Sequence, residues 1–159
     1  MDWAVFITLV LAGASSGGFF KPGDWYDSLF KPRWTPPDWA FPLVWGFLYA
    51  GITWAGVLVW QAQGGALALT FWGAQWVFST AWSWLFFGRR RMDLGFADVT
   101  LLWLSVLGFI ITAWPLSKLA AVLFLPYLAW VTIAATLNVA VWRRNSDEPG
   151  LAVPGILRV

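Results

Sequence analysis

The polar side chains inside the long apolar runs of this chain are few, and they set the chemistry available to it. Between 67 and 88, Gln75 and Ser79 lie four residues apart, with Trp82 and Phe86 following at helical spacing, so all four share one helix face. Between 119 and 142, Tyr127, Trp130, Ala134 and Leu137 make a comparable face, with Asn138 beside it. Between 41 and 60, Trp45, Tyr49 and Ile52 do the same. Each face interleaves aromatic rings with a few hydrogen-bonding groups. That combination suits a large, flat, mostly apolar ligand, because rings give contact area at low entropic cost while amide, hydroxyl and indole groups fix orientation. Plain helix packing accounts for Trp45, Trp82 and Trp130 equally well. Trp3, Trp60, Trp114 and Trp142 stand at the ends of apolar runs and read as interfacial anchors.

Much chemistry is excluded. The chain has no histidine and no cysteine, which removes disulfides, thiol catalysis, the usual zinc sites and His or Cys ligation of a haem iron. No cofactor or metal is expected. Ser79 and Ser83 have no histidine to activate them, no carboxylates pair within a run, and no Gly-rich phosphate loop precedes a helix. No catalytic residue is therefore assigned, and a hydrolase or nucleotide-using enzyme is not expected. A light- or oxygen-driven reaction run by a bound ligand needs little from the protein and stays open as the alternative. Asp98, the one carboxylate within an apolar run, is expected to pair with Arg89, Arg90 or Arg91, or with a helix N-terminus.

The elements that carry these residues follow from composition. Of 159 residues, 60% are hydrophobic and 11% charged, against about 25% charged in an ordinary soluble domain. Such a chain cannot cover a soluble surface with polar groups. Its solvent is lipid. Five apolar segments, at about 3–20, 41–60, 67–88, 94–116 and 119–142, each approach the ~20 residues that cross a hydrocarbon core. The segments lack the short alternating pattern of barrel strands. The expected architecture is all-α, an integral membrane bundle of five transmembrane helices over 1–145, with a flexible tail at 146–159. The first run carries Asp2 and no basic residue before Lys21, so it reads as a retained span rather than a signal peptide.

Nine of the ten basic residues fall in the 21–39 loop, the 89–91 loop and the tail, and only Lys118 falls on the other side. In an inner membrane this places the 21–39 loop on the cytoplasmic face. The net charge of +2 gives no reason to expect nucleic acid. Within that loop Trp25, Trp34 and Trp39 alternate with Pro32, Pro36 and Pro37. Each proline removes an N–H and restricts the residue before it, so 31–37 is expected as extended backbone. The helix that follows tolerates Pro42 in its first turn. We read 21–39 as a lid over the aromatic faces.

The stretch WYDSLFKPRWTPPDWAFPLVWGFLY at 25–49, with FFG at 86–88, PYLAW at 126–130 and TLNVAVWRRN at 136–145, resembles the translocator protein / tryptophan-rich sensory protein family, also called peripheral-type benzodiazepine receptors. The resemblance covers residues 3–145 and points to a bacterial member. It implies a homodimeric five-helix membrane protein that binds porphyrins such as protoporphyrin IX, sterols and benzodiazepine-site ligands, with roles in tetrapyrrole transport, sensing or breakdown. It also implies that Trp25, Trp39, Trp45, Tyr49, Trp130, Ala134 and Leu137 line or cap the ligand cavity. Three departures stand out. Ser79 replaces the family's usual Asn, a shorter group with fewer donors. Ser83 and Trp84 replace prolines, which should leave that helix straighter and its end more crowded. Val139 replaces the tyrosine of the sterol-recognition pattern, although Arg143 is kept, and this argues against sterol as the physiological ligand.

Overall fold

A computed structural model describes residues 2–19 and 23–146, and its described residues are helical with no strand. Helix α1 is Asp2–Phe19, α2 Asp24–Ser28, α3 Ala40–Gln61 and α4 Ala66–Ser83. A single π-helical turn, Trp84–Gly88, continues α4. Then come α5 (Met92–Ala113), α6 (Lys118–Leu123) and α7 (Leu125–Arg144). Among the described residues three stretches, Ala40–Gln61, Met92–Ala113 and Lys118–Arg144, are long and apolar enough to cross a membrane. Lys21, Pro22 and residues 147–159, where the start of the lid and most of the expected tail fall, lie outside the described residues.

The described residues form seven α-helical segments, two more than the number of expected spans, for two physical reasons. The lid contains the short helix α2. The last apolar run is divided at Phe124, because Pro126 has no N–H to give to the carbonyl four residues earlier. Pro126 instead occupies the first turn of α7, where no such donor is needed. The end of α4 also departs from a straight, regular helix, since it widens into the π turn.

Helix α5 sits at the centre. Met92, Val99, Leu102, Val106, Phe109 and Ala113 are buried along it, and it packs chiefly on α4 and α7. Gly108 lets α4 approach, because a Cβ there would stand 2.6 Å from the Phe71 ring. Gly56 does the same where α1, α3 and α4 meet, beneath Phe6 and Trp72. The Trp72 indole donates to the Ile52 carbonyl at 2.9 Å, and Phe109 stacks on Phe124 with centroids 3.9 Å apart. The outer faces are apolar as well: Leu43, Phe47, Val77, Leu104, Ile111 and Ile133 are all exposed. A water-soluble protein would hide such a surface, whereas lipid accepts it. Of the four expected anchors, Trp3, Trp60 and Trp114 are exposed at helix ends, whereas Trp142 is half-buried and packs against Phe96, 6.3 Å between centroids.

Asp98 departs from expectation. The Arg91 guanidinium binds Asp93 instead, with Nε 2.8 Å from Oδ1. Asp93 is two residues away in sequence, so the pair forms at the α5 N-terminus with little chain to order. Asp98 is left buried in α5, with Oδ2 unpartnered among the described residues.

Candidate functional site

The three aromatic faces converge. On α3, Trp45 stacks on Tyr49 (5.2 Å between centroids, 29° between planes), and Tyr49 stacks in turn on Trp76 of α4 (5.9 Å, 21°). Trp45 also meets Tyr127 of α7 edge-on at 6.1 Å. The Tyr127 hydroxyl donates to Gln75 Oε1 at 2.9 Å, across a point where both side chains are fully buried. Ser79, half-buried one turn beyond Gln75, lies beside the same hydroxyl. Geometry offset from perfect overlap is what aromatic quadrupoles favour.

A second cluster forms under the lid. Helix α2 lays Tyr26 on the π turn, edge-on to Phe86 (6.2 Å) and Phe87 (5.4 Å), and Trp25 meets Phe86 at 5.9 Å. Trp82 stacks on Phe86 at 5.0 Å with planes only 18° apart, and it also packs on the first cluster, so it joins the two. Leu137 packs against the lid cluster. Asn138 is buried and donates through Nδ2 to the Met92 carbonyl at 2.8 Å, with Oδ1 turned toward Gly95. Burial, then the nearby Asp38 and Asp27 carboxylates, push the Tyr26 phenol above its ordinary pKa, so it stays neutral. Lys31 lies over its ring, 4.1 Å from the centroid.

Other expected site residues sit elsewhere. Trp39 is 67% exposed at the start of α3 and belongs to neither cluster. Trp130 meets Phe41 edge-on at 5.5 Å and, with Leu43, Phe47 and Ile133, lines an open groove of about 450 Å³ between α3 and α7. Ala134 packs on the main core beside it. Between the faces the rings pack directly on one another, Trp45 on Tyr49 and Tyr49 on Trp76.

The polar accounting of that interior does not close. Gln75 Nε2, Trp76 Nε1, Trp82 Nε1 and Asn138 Oδ1 are buried without a partner among the described residues. Each such atom costs about 1–3 kcal/mol relative to a satisfied one. Three of these atoms are donors on α4 and one is an acceptor on α7.

Two contributors escape a reading of the sequence. Trp76 is one residue off the Gln75–Ser79 face, and only the rotation of α4 against α3 brings it to Tyr49. Asn145, the last residue of the expected bundle, is buried and clasps the lid. Its Oδ1 accepts from the Phe30 N–H at 3.0 Å, and its Nδ2 donates to the Phe30 carbonyl at 3.2 Å and to Val141 O at 2.8 Å. Asn145→Ala is expected to speed amide exchange at Phe30 about tenfold, the equivalent of roughly one hydrogen bond. Unchanged protection would show that the α2 contacts alone hold the lid.

The TspO/MBR family profile matches residues 5–143 of this chain. A tryptophan-rich sensory protein of Cereibacter sphaeroides is 43% identical, over 94% of this chain and 96% of that protein. Protein CrtK of Rhodobacter capsulatus is 40% identical over 92% and 94% respectively. The human translocator protein is 36% identical over 87% of this chain and 86% of its own length.

Proposed function

This chain belongs to the TspO/MBR family, and from that premise we propose a five-span membrane protein that binds porphyrin-type tetrapyrroles between its aromatic faces, as a sensor or carrier. In this reading α1, α3, α4 with its π turn, α5, and α6 with α7 each cross the bilayer. The chain works as a homodimer, and benzodiazepine-site ligands share the same place. The observation that carries the reading is the set of unpartnered buried donors on α4, Gln75 Nε2, Trp76 Nε1 and Trp82 Nε1, beside the Tyr49–Trp76 and Trp82–Phe86 stacks. Flat apolar surface with a few hydrogen-bonding atoms is what a planar macrocycle with ring nitrogens would use. Entry requires the Trp45–Tyr49–Trp76 stack to part, so a ligand exchanges ring–ring contact for ring–macrocycle contact at modest net cost. The chain offers no histidine or cysteine to ligate a central metal, which fits a metal-free porphyrin held by stacking.

The test is a titration of protoporphyrin IX into the purified protein, followed by tryptophan quenching. Saturable binding should weaken at least tenfold in Trp45→Ala and Trp25→Ala, since each removes about 1.5 kcal/mol or more of stacking and burial. Saturation indifferent to both would sink this site. Product analysis of the same samples under light separates holding from degradation: turnover to a defined open-chain product, faster than with free tryptophan, would favour the enzyme.

A further inference from the structure

We propose that Arg90 recognises a carboxylate of the ligand, so that the mouth of the site under the lid selects anionic planar aromatics. The inference rests on the binding reading above and adds a chemical class to it. It starts from the backbone. The π turn ends with Arg89 N–H donating to the Trp84 carbonyl at 2.8 Å and Arg91 N–H donating to the Leu85 carbonyl at 3.0 Å. That closure puts Arg90 in the left-handed region, at φ 55°, the one non-glycine residue there among the described residues. Glycine is the usual occupant of such a helix-ending position, because a Cβ is disfavoured.

A long cationic side chain at that position has a definite placement. Its Cζ lies 5.8 Å from the centre of the Trp25 ring, within cation–π range, on a residue of the lid cluster. Three nearby cations are otherwise engaged. Arg91 is bound to Asp93, Lys31 lies 3.6 Å from Asp27, and Arg89 rests over Trp84. Arg90 has no acidic partner among the described residues. A guanidinium lying on a ring keeps its fork of N–H groups free, and that fork matches a carboxylate in bidentate fashion. Membrane topology accounts for positive charge in this loop, but not for a strained backbone or a seat on Trp25, since Arg89 and Arg91 already supply charge.

The experiment compares protoporphyrin IX, a dicarboxylate, with its uncharged dimethyl ester, on wild type, Arg90→Gly and Arg90→Lys. Glycine suits the left-handed backbone, so R90G removes the side chain without a folding penalty at that turn. Wild type should prefer the free acid about tenfold at low ionic strength, with the preference shrinking as salt is added. R90G should lose the preference while holding the ester as wild type does, and R90K should keep part of it. An acid preference that survives in R90G overturns the proposal. So does an equal loss for both ligands, which would make Arg90 only a support for Trp25. Wild type that binds acid and ester alike removes the anion subsite and leaves ring binding standing. Wild type that binds neither removes both.

Discussion

Gln75→Ala is expected to lower the stability of the folded bundle by about 1–4 kcal/mol, the cavity cost less the relief from deleting an unpartnered buried amide N–H. Two costs combine. Gln75 is fully buried, so truncation leaves a cavity, and comparable large-to-Ala changes cost about 2–5 kcal/mol. The Tyr127 hydroxyl, 2.9 Å from Gln75 Oε1, also loses its acceptor, although interhelical hydrogen bonds in bilayers average only about 0.6 kcal/mol. The cavity therefore dominates. Gln75→Met should consequently be mild, within about 1.5 kcal/mol, because it keeps the volume and removes the unpartnered Nε2 while stranding only Tyr127. Reversible unfolding in mixed micelles measures all three proteins, and a cycle with Tyr127→Phe isolates the bond itself. A Gln75→Ala protein as stable as the Met variant would mean that the α4–α7 seam collapses onto the gap.

The outline of the fold is legible in the chain because lipid imposes long apolar runs. Helices α3 and α5 fall within three residues of the expected segments. What escapes depends on contacts between elements. Helix α2 is five residues long, too short to stand alone. It exists because Tyr26 docks on Phe86 and Phe87. The pairing of Arg91 with Asp93 rather than Asp98 is a matter of side-chain reach at a helix start. Within one helix the site could be read directly: Trp45 and Tyr49 do stack, as four-residue spacing implies. Between helices it could not, since the Tyr49–Trp76 stack and the Asn145 clasp depend on helix rotation and on where the lid comes down. The left-handed Arg90 is least legible of all, because Gly88 two residues earlier looks like the natural stop signal.

Trp82 offers the sharpest separation of stability from binding. Its ring stacks on Phe86 and bridges the two clusters, yet its indole nitrogen is buried without an acceptor among the described residues. Trp82→Ala removes the whole ring and should cost about 3–5 kcal/mol in stability. Trp82→Phe keeps a ring on Phe86. It loses some volume, worth about 1 kcal/mol, and deletes an unsatisfied donor whose burial costs about 1–3 kcal/mol. The two terms offset, so the phenylalanine variant should stay within about 1 kcal/mol of wild type or exceed it. Its affinity for protoporphyrin IX should nevertheless fall about tenfold, because a ligand that accepts from the indole N–H loses that bond. The proposed binding reading predicts this trade: stability kept, affinity lost. If Trp82→Phe instead unfolds as readily as Trp82→Ala, the indole nitrogen has a partner in the resting protein, and the unpartnered atoms no longer argue for a ligand.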